Sequence, residues 1–169
     1  MREKFRNRKG LSLVLAAVFF VLAGAVVAYQ NWPAKRANLA MSFFTDDEGQ
    51  TWFSAASTNL APFDHDGKTA VMAEIFTYDS GNKKICGYLQ KYTPEAKRRL
   101  EAAFADAKSH GQPLENVALF HDHGFMDSAF LVKKPGLNNP WVPYSDPRAN
   151  QVLSVQSPDG SAVDQCFVY

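Results

Sequence analysis

The chain has 169 residues, which bounds it to one ordinary domain with a short extra segment and excludes eight-unit βα barrels and propellers. Hydrophobic residues make up 46% and charged residues 21%, close to globular averages, so wholesale disorder is excluded, and 13 Phe supply aromatic volume for a core. The net charge of +1 hides an asymmetry: residues 1–10 carry five cations against Glu3, whereas residues 30–169 carry 13 basic and 16 acidic side chains. That body offers no basic patch to a phosphate backbone, so nucleic acid is set aside as a partner.

Arg2, Lys4, Arg6, Arg8 and Lys9 mark residues 1–10 as a cytoplasmic basic segment. Leu11–Tyr29 follows, 19 residues without a charge. At about 1.5 Å per residue this run covers about 28 Å, close to a hydrocarbon core of about 30 Å. It predicts a single transmembrane helix that contacts the lipid bilayer. Only Lys35 and Arg36 follow closely. The positive-inside rule therefore places the N-terminus in the cytoplasm and the C-terminal domain in the periplasm or outside the cell. Ala23-Gly24-Ala25 and Val26-Val27-Ala28 also fit a small-x-small cleavage site, so a cleaved signal peptide is the alternative. The run is longer than the usual signal core of about 7–15 residues, which favours the anchor. Residues 30–38, with Trp32 and Pro33, read as a juxtamembrane linker, and residues 39–169 as the exported domain.

Within that domain Leu39–Phe44 and Thr51–Ser54 read as strands around the turn Asp46–Gln50. Thr69–Thr77 and Lys84–Tyr92 form a predicted hairpin across Asp79-Ser80-Gly81-Asn82. Simple alternation in the second strand puts Ile85, Gly87, Leu89 and Lys91 on one side and Cys86, Tyr88, Gln90 and Tyr92 on the other. Thr93-Pro94 opens a helix over 94–109, whose apolar stripe is Ala96, Leu100, Ala103, Phe104 and Ala107, with Gly111 as the stop. Val117–Phe120 and Ser128–Val132 are predicted strands, and Lys133–Pro143 a loop. Ser145-Asp146-Pro147 caps a short helix to Val152, and Leu153–Gln156 and Gln165–Tyr169 are strands around Pro158-Asp159-Gly160. The expected fold class is α+β: an N-terminal transmembrane helix, then a small, mainly antiparallel sheet with one main helix packed on it.

Thr45-Asp46-Asp47-Glu48-Gly49-Gln50-Thr51-Trp52 resembles the Asp-box, with Asp47, Gly49 and Trp52 at its key positions. Asp accepts turn N–H groups, Gly takes φ > 0 and the aromatic packs beneath the hairpin. In sialidases the box repeats around a propeller away from the catalytic site, so one copy here implies a hairpin and no glycosidase chemistry. His121 and His123 are the metal candidates: at i and i+2 on a strand, both imidazoles would reach one divalent ion. The opposing reading is a polar strand end. Phe63-Asp64-His65-Asp66-Gly67-Lys68 is similar to half a calcium loop but has Ile75 where the terminal Glu would stand, which favours an Asx turn. Cys86 and Cys166 are the only cysteines, and export permits a disulfide between them; two buried thiols are the alternative. There is no C-x-x-C, nucleophile elbow, Walker loop or H-E-x-x-H.

Two resemblances cover parts of the chain. Lys9-Gly10-Leu11-Ser12-Leu13-Val14 resembles the processing site of type IV pilins and pseudopilins, with Leu15 in place of the family's Glu at the fifth position. The stretch of about residues 43–102, containing FFTDDEGQTWF, APFDHDGKTAVMAEIF and GYLQKYTPEAKRRLE, together with Pro158-Asp159-Gly160 near the end, resembles a family of small single-span exported proteins of planctomycete-type bacteria. That resemblance implies export and anchoring and carries over no catalytic residue. The resulting expectation is a membrane-anchored extracytoplasmic structural or interaction protein, an accessory subunit with a protein partner in a membrane or envelope complex. The alternatives are an envelope metal-binding protein or metal-dependent hydrolase using His121 and His123, and a pseudopilin-like assembly component.

Overall fold

The computed structural model describes residues 41–114 and 117–168. Its strands are β1 (Met41–Thr45), β2 (Phe53–Ala56), β3 (Phe63–His65), β4 (Lys68–Tyr78), β5 (Lys83–Tyr92), β6 (Phe130–Lys133), β7 (Val142–Pro143) and β8 (Asp164–Gln165). Its helices are α1 (Pro94–Ser109), a 3-10 turn over Ala118–His121, α2 (His123–Ala129) and α3 (Ala149–Leu153). The strands form one antiparallel sheet in the order β2-β1-β4-β5-β6-β7. The 11-residue β4 is its spine. Along one edge β4 pairs in turn with β3, β1 and β8; along the other it pairs with β5.

The β4–β5 register passes from Glu74↔Tyr88 to Ile75↔Cys86, so Gly87 is the extra residue of a bulge. A Cβ on Gly87 would lie 2.6 Å from the Phe76 ring and 2.7 Å from Val155, and only glycine permits that approach. The bulge corrects the simple alternation expected of β5. Cys86 and Leu89, three residues apart, pack in one cluster with Ala73 and Ile75.

The helices cover one face of the sheet. Tyr92 and Phe130 are cross-strand partners there and pack with Ala96, Leu100, Phe104 and Ala107 of α1 and Phe125 of α2. Further along the same face Val132 and Val142 pack with Ala149 of α3. The α1 stripe is the one its spacing predicts. Thr93 caps it by accepting from Ala96 N–H at 3.2 Å. At its end Gly111 N–H donates to Lys108 O at 3.1 Å and Gln112 N–H to Ala107 O at 2.9 Å, a Schellman motif. The opposite face carries no helix among the described residues. Trp52, Trp141 and two loops cover Ala73, Ile75 and Leu89 there.

Several expectations need correction. The predicted fold began with a transmembrane helix, but among the described residues no helix is long and apolar enough to cross a membrane. The longest, α1, has 16 residues and carries seven charged side chains (Glu95, Lys97, Arg98, Arg99, Glu101, Asp106 and Lys108). The span predicted at Leu11–Tyr29 lies outside the described residues, as do the basic segment, the linker and the pilin-like site. Among the described residues the single main helix, α1, is joined by the shorter 3-10 turn, α2 and α3. Val117–Phe120 is the 3-10 turn region rather than a strand, and Ser128 and Ala129 end α2 before β6 begins. Leu153 ends α3, and β8 is two residues long.

The expected disulfide is also corrected: Cys86 and Cys166 are free. Cys86 pairs with Ile75 from one side of β4, and Cys166 N–H donates to Ile75 O at 2.7 Å from the other. Strands two places apart stand about 10 Å from each other, whereas a disulfide needs Cα atoms within about 7 Å.

Candidate functional site

The helix-free face is organised by the Asp-box turn between β1 and β2. Thr45, fully buried, donates its Oγ1 hydroxyl to Asp47 Oδ1 at 2.8 Å and accepts Gly49 N–H at 3.0 Å. Asp47 accepts the Thr51 N–H at 2.9 Å and the Thr51 hydroxyl at 2.6 Å. Partial burial works against ionisation of Asp47, but the bonds from Thr51 and Thr45 outweigh it and pull the carboxyl down to about 2. Gly49 adopts φ +87°, and a Cβ there would lie 3.0 Å from Cys86 Sγ and 3.1 Å from Pro135. The turn therefore lies flat on β5 and against the loop that follows β6. Trp52 packs into the cluster beneath it. In this turn Asp47 is the acceptor, Gly49 the glycine at positive φ and Trp52 the packed aromatic.

That second loop, residues 134–141, is tied to the turn. Glu48 pairs with the ammonium of Lys133, a side chain whose residue is only 3% exposed. Gly136 N–H donates to Glu48 O at 3.1 Å. Asn139 Nδ2 donates back to Pro135 O at 2.6 Å. The Trp141 ring receives Lys91 Nζ at 4.3 Å and Lys133 Nζ at 5.1 Å from its centroid. Burial and the neighbouring Lys133 lower the Lys91 pKa, with Glu48 opposing. At the tip of this braced loop Leu137 is 81% exposed.

Beside the loop lies a cavity of about 380 Å³, bounded by α3 on its other side. Val142 and Val152 form its apolar wall, and Lys134, Asn139, Arg148 and Gln151 supply its polar groups. Lys134 Nζ donates to Ser154 O at 2.8 Å, and burial lowers its pKa. Arg148 donates through Nε and Nη2 to Asp146 at 3.0 and 2.8 Å. A larger cavity of about 610 Å³ lies between residues 58–64 and α1, where Lys97 and Lys108 are balanced by Asp64 and Glu101 over Phe63 and Phe104. A smaller one, about 190 Å³, opens between β1 and the C-terminal segment. Its Glu74 has a pKa raised by burial, opposed by a 2.8 Å hydrogen bond from Gln165.

The remaining sequence candidates fall elsewhere. His121 ends the 3-10 turn and His123 begins α2, both exposed, so the strand that was to align them on one face is absent. Asp122 between them caps α2, accepting Phe125 N–H at 3.0 Å. Among the described residues no group of three or more His, Cys, Asp and Glu side chains is placed to hold a metal ion. The half-calcium-loop segment is the β3–β4 hairpin, with Asp66 at φ +52° and Gly67 at φ +79° in its two-residue turn. Its His65 stacks on Phe53 at 3.9 Å, with Nδ1 3.0 Å from Asp46, and so ties the hairpin to the end of β1. The Cys86 thiol is pushed up to about 12 by burial, with Glu74 and Asp47 adding to it.

The braced loop, Lys133 and the cavity beside it were not singled out from the sequence. The available signal was Leu137, the sole aliphatic side chain among the prolines, glycine and asparagines between Lys134 and Pro140. Comparison with known proteins adds no relative: no family model, curated protein or solved structure matches the chain.

Proposed function

We propose that this chain is an exported interaction protein, an accessory subunit of a membrane or envelope complex, and that the loop 134–140 is its contact element. The observation that carries the reading is Leu137, 81% exposed at the tip of a loop held at its base by Glu48–Lys133, Gly136–Glu48 and Trp141. A single exposed leucine is ordinary on a protein surface. A leucine on a loop already fixed in one conformation is different, because little further ordering is needed on binding, and affinity is gained by avoiding that cost. Export is supported by the basic-then-apolar order of residues 1–29, which lie outside the described residues.

The test is native mass spectrometry of the full-length protein extracted from its own membranes in mild detergent, with wild type compared against Leu137→Asp. A defined hetero-complex in wild type, lost in the variant at unchanged thermal stability, is the expected result. A lone wild-type protomer, or a complex indifferent to Leu137→Asp, overturns the reading.

A further inference from the structure

We infer that the cavity between the loop and α3 captures the C-terminal carboxylate of an extended peptide segment of the partner; this rests on the loop being the contact element. Among the described residues two cations line the cavity, Lys134 and Arg148, and the one adjacent acid, Asp146, is paired with Arg148. Both cations are pre-oriented by one set of bonds and keep others free. Lys134 has given one N–H to Ser154 O and retains two donors. Arg148 has given two N–H groups to Asp146 and retains three. Gln151 also lines the cavity, as does Asn139, which has given one N–H to Pro135 O and keeps its other N–H and its Oδ1 for peptide main chain, and Val142 and Val152 offer an apolar wall for the last side chain.

Charge selects a chain end over an acidic stretch. Asp146 neutralises one of the two cations, so the site has an excess of one positive charge. That matches the single negative charge of a terminal carboxylate. Further carboxylates would meet Asp146 without a cation to answer them. A chain end also enters a site walled on two sides from one direction, whereas an internal Asp or Glu has to bring chain in and out. The volume, about 380 Å³, sits at the lower end of ligand pockets and suits a terminal residue or two rather than a folded element.

The test uses the full-length chain in detergent and a fluorescein-labelled hexapeptide ending in Val-Leu, with its C-terminus free, amidated, or amidated with one internal Glu. Anisotropy should show the free acid binding about tenfold tighter than the amide, in line with loss of a charge-assisted hydrogen bond. Arg148→Gln and Lys134→Gln should each remove most of that preference, and Arg148→Lys should restore only part of it, because the planar fork is lost. Arg148 is exposed, so its variants should fold. Equal binding of acid and amide overturns the inference, as does tighter binding of the internal-Glu peptide, or a preference that survives both Gln variants. Loss of the native complex in Leu137→Asp alongside any of those outcomes removes this cavity's role and leaves the loop's role standing.

Discussion

Asp47 concentrates more hydrogen bonding than any neighbouring side chain of the first turn, and its contribution has a direction in pH. Its folded pKa, about 2, lies below the ordinary aspartate value of about 3.9. A depressed carboxyl stabilises the fold fully above the unfolded value and loses that contribution as pH falls through the folded one. The window is therefore about pH 4 down to about pH 2. Because the carboxylate is well solvated, the effect is a partial one. In Asp47→Asn the slope of stability against pH across that window should flatten, as measured by urea unfolding at fixed pH steps. An unchanged slope would mean that Thr51 and Thr45 hold the carboxylate no better than water does. This residue was legible in the sequence because an Asp-box is a local object: its donors lie within four residues of its acceptor. Lys133 was not, because its partner Glu48 is 85 residues away and nothing in the local pattern distinguishes it from Lys134.

Among the elements, β5 shows how one residue redirects a whole strand. With Gly87 bulged, Cys86 turns inward beside Leu89, and its side chain is partly buried there instead of lining the other side. Gly87→Ala would place a methyl group 2.6 Å from the Phe76 ring and 2.7 Å from Val155. The expected cost is about 1–3 kcal/mol, typical of overpacking in a filled core, read from the urea midpoint. A midpoint equal to wild type would show that Phe76 and Val155 yield freely. The hairpin and α1 were legible because their signals are strong and mutually consistent: β-branched runs about a Gly turn, then a Thr-Pro cap and a 3.6-residue stripe. The segment from Val117 to Ala129 was misread because Val117-Ala118-Leu119-Phe120 and Ala129-Phe130-Leu131-Val132 are short apolar runs with no periodicity of their own. Asp122 decided the matter: as the cap of α2 it starts a helix between two expected strands.

At the scale of the molecule, one face of the sheet is closed by helices and the other by two loops that hold each other. The charged link between those loops is Glu48–Lys133, joining the turn after β1 to the end of β6. The two partners are unequally placed: the Lys133 side chain is 4% exposed and that of Glu48 is 32% exposed. Removing the acid leaves a buried ammonium with only the Gly136 carbonyl at 3.5 Å and the Trp141 ring, whereas removing the lysine leaves a carboxylate that water can reach. Glu48→Gln should therefore cost about 3–5 kcal/mol, as breaking a buried pair does, and Lys133→Met clearly less. The double variant should recover much of the loss, because desolvation of both charges disappears together. Urea unfolding of the four proteins completes the cycle, with an expected coupling of at least about 1 kcal/mol. Additive losses would mean the pair is incidental and the loops are held by backbone contacts alone. A large coupling would show that the two loops support each other: the loop bearing Leu137 is held through Lys133 by Glu48, and the Asp-box turn is held in return. The variant Glu48→Gln would then weaken partner binding without touching the contact residue.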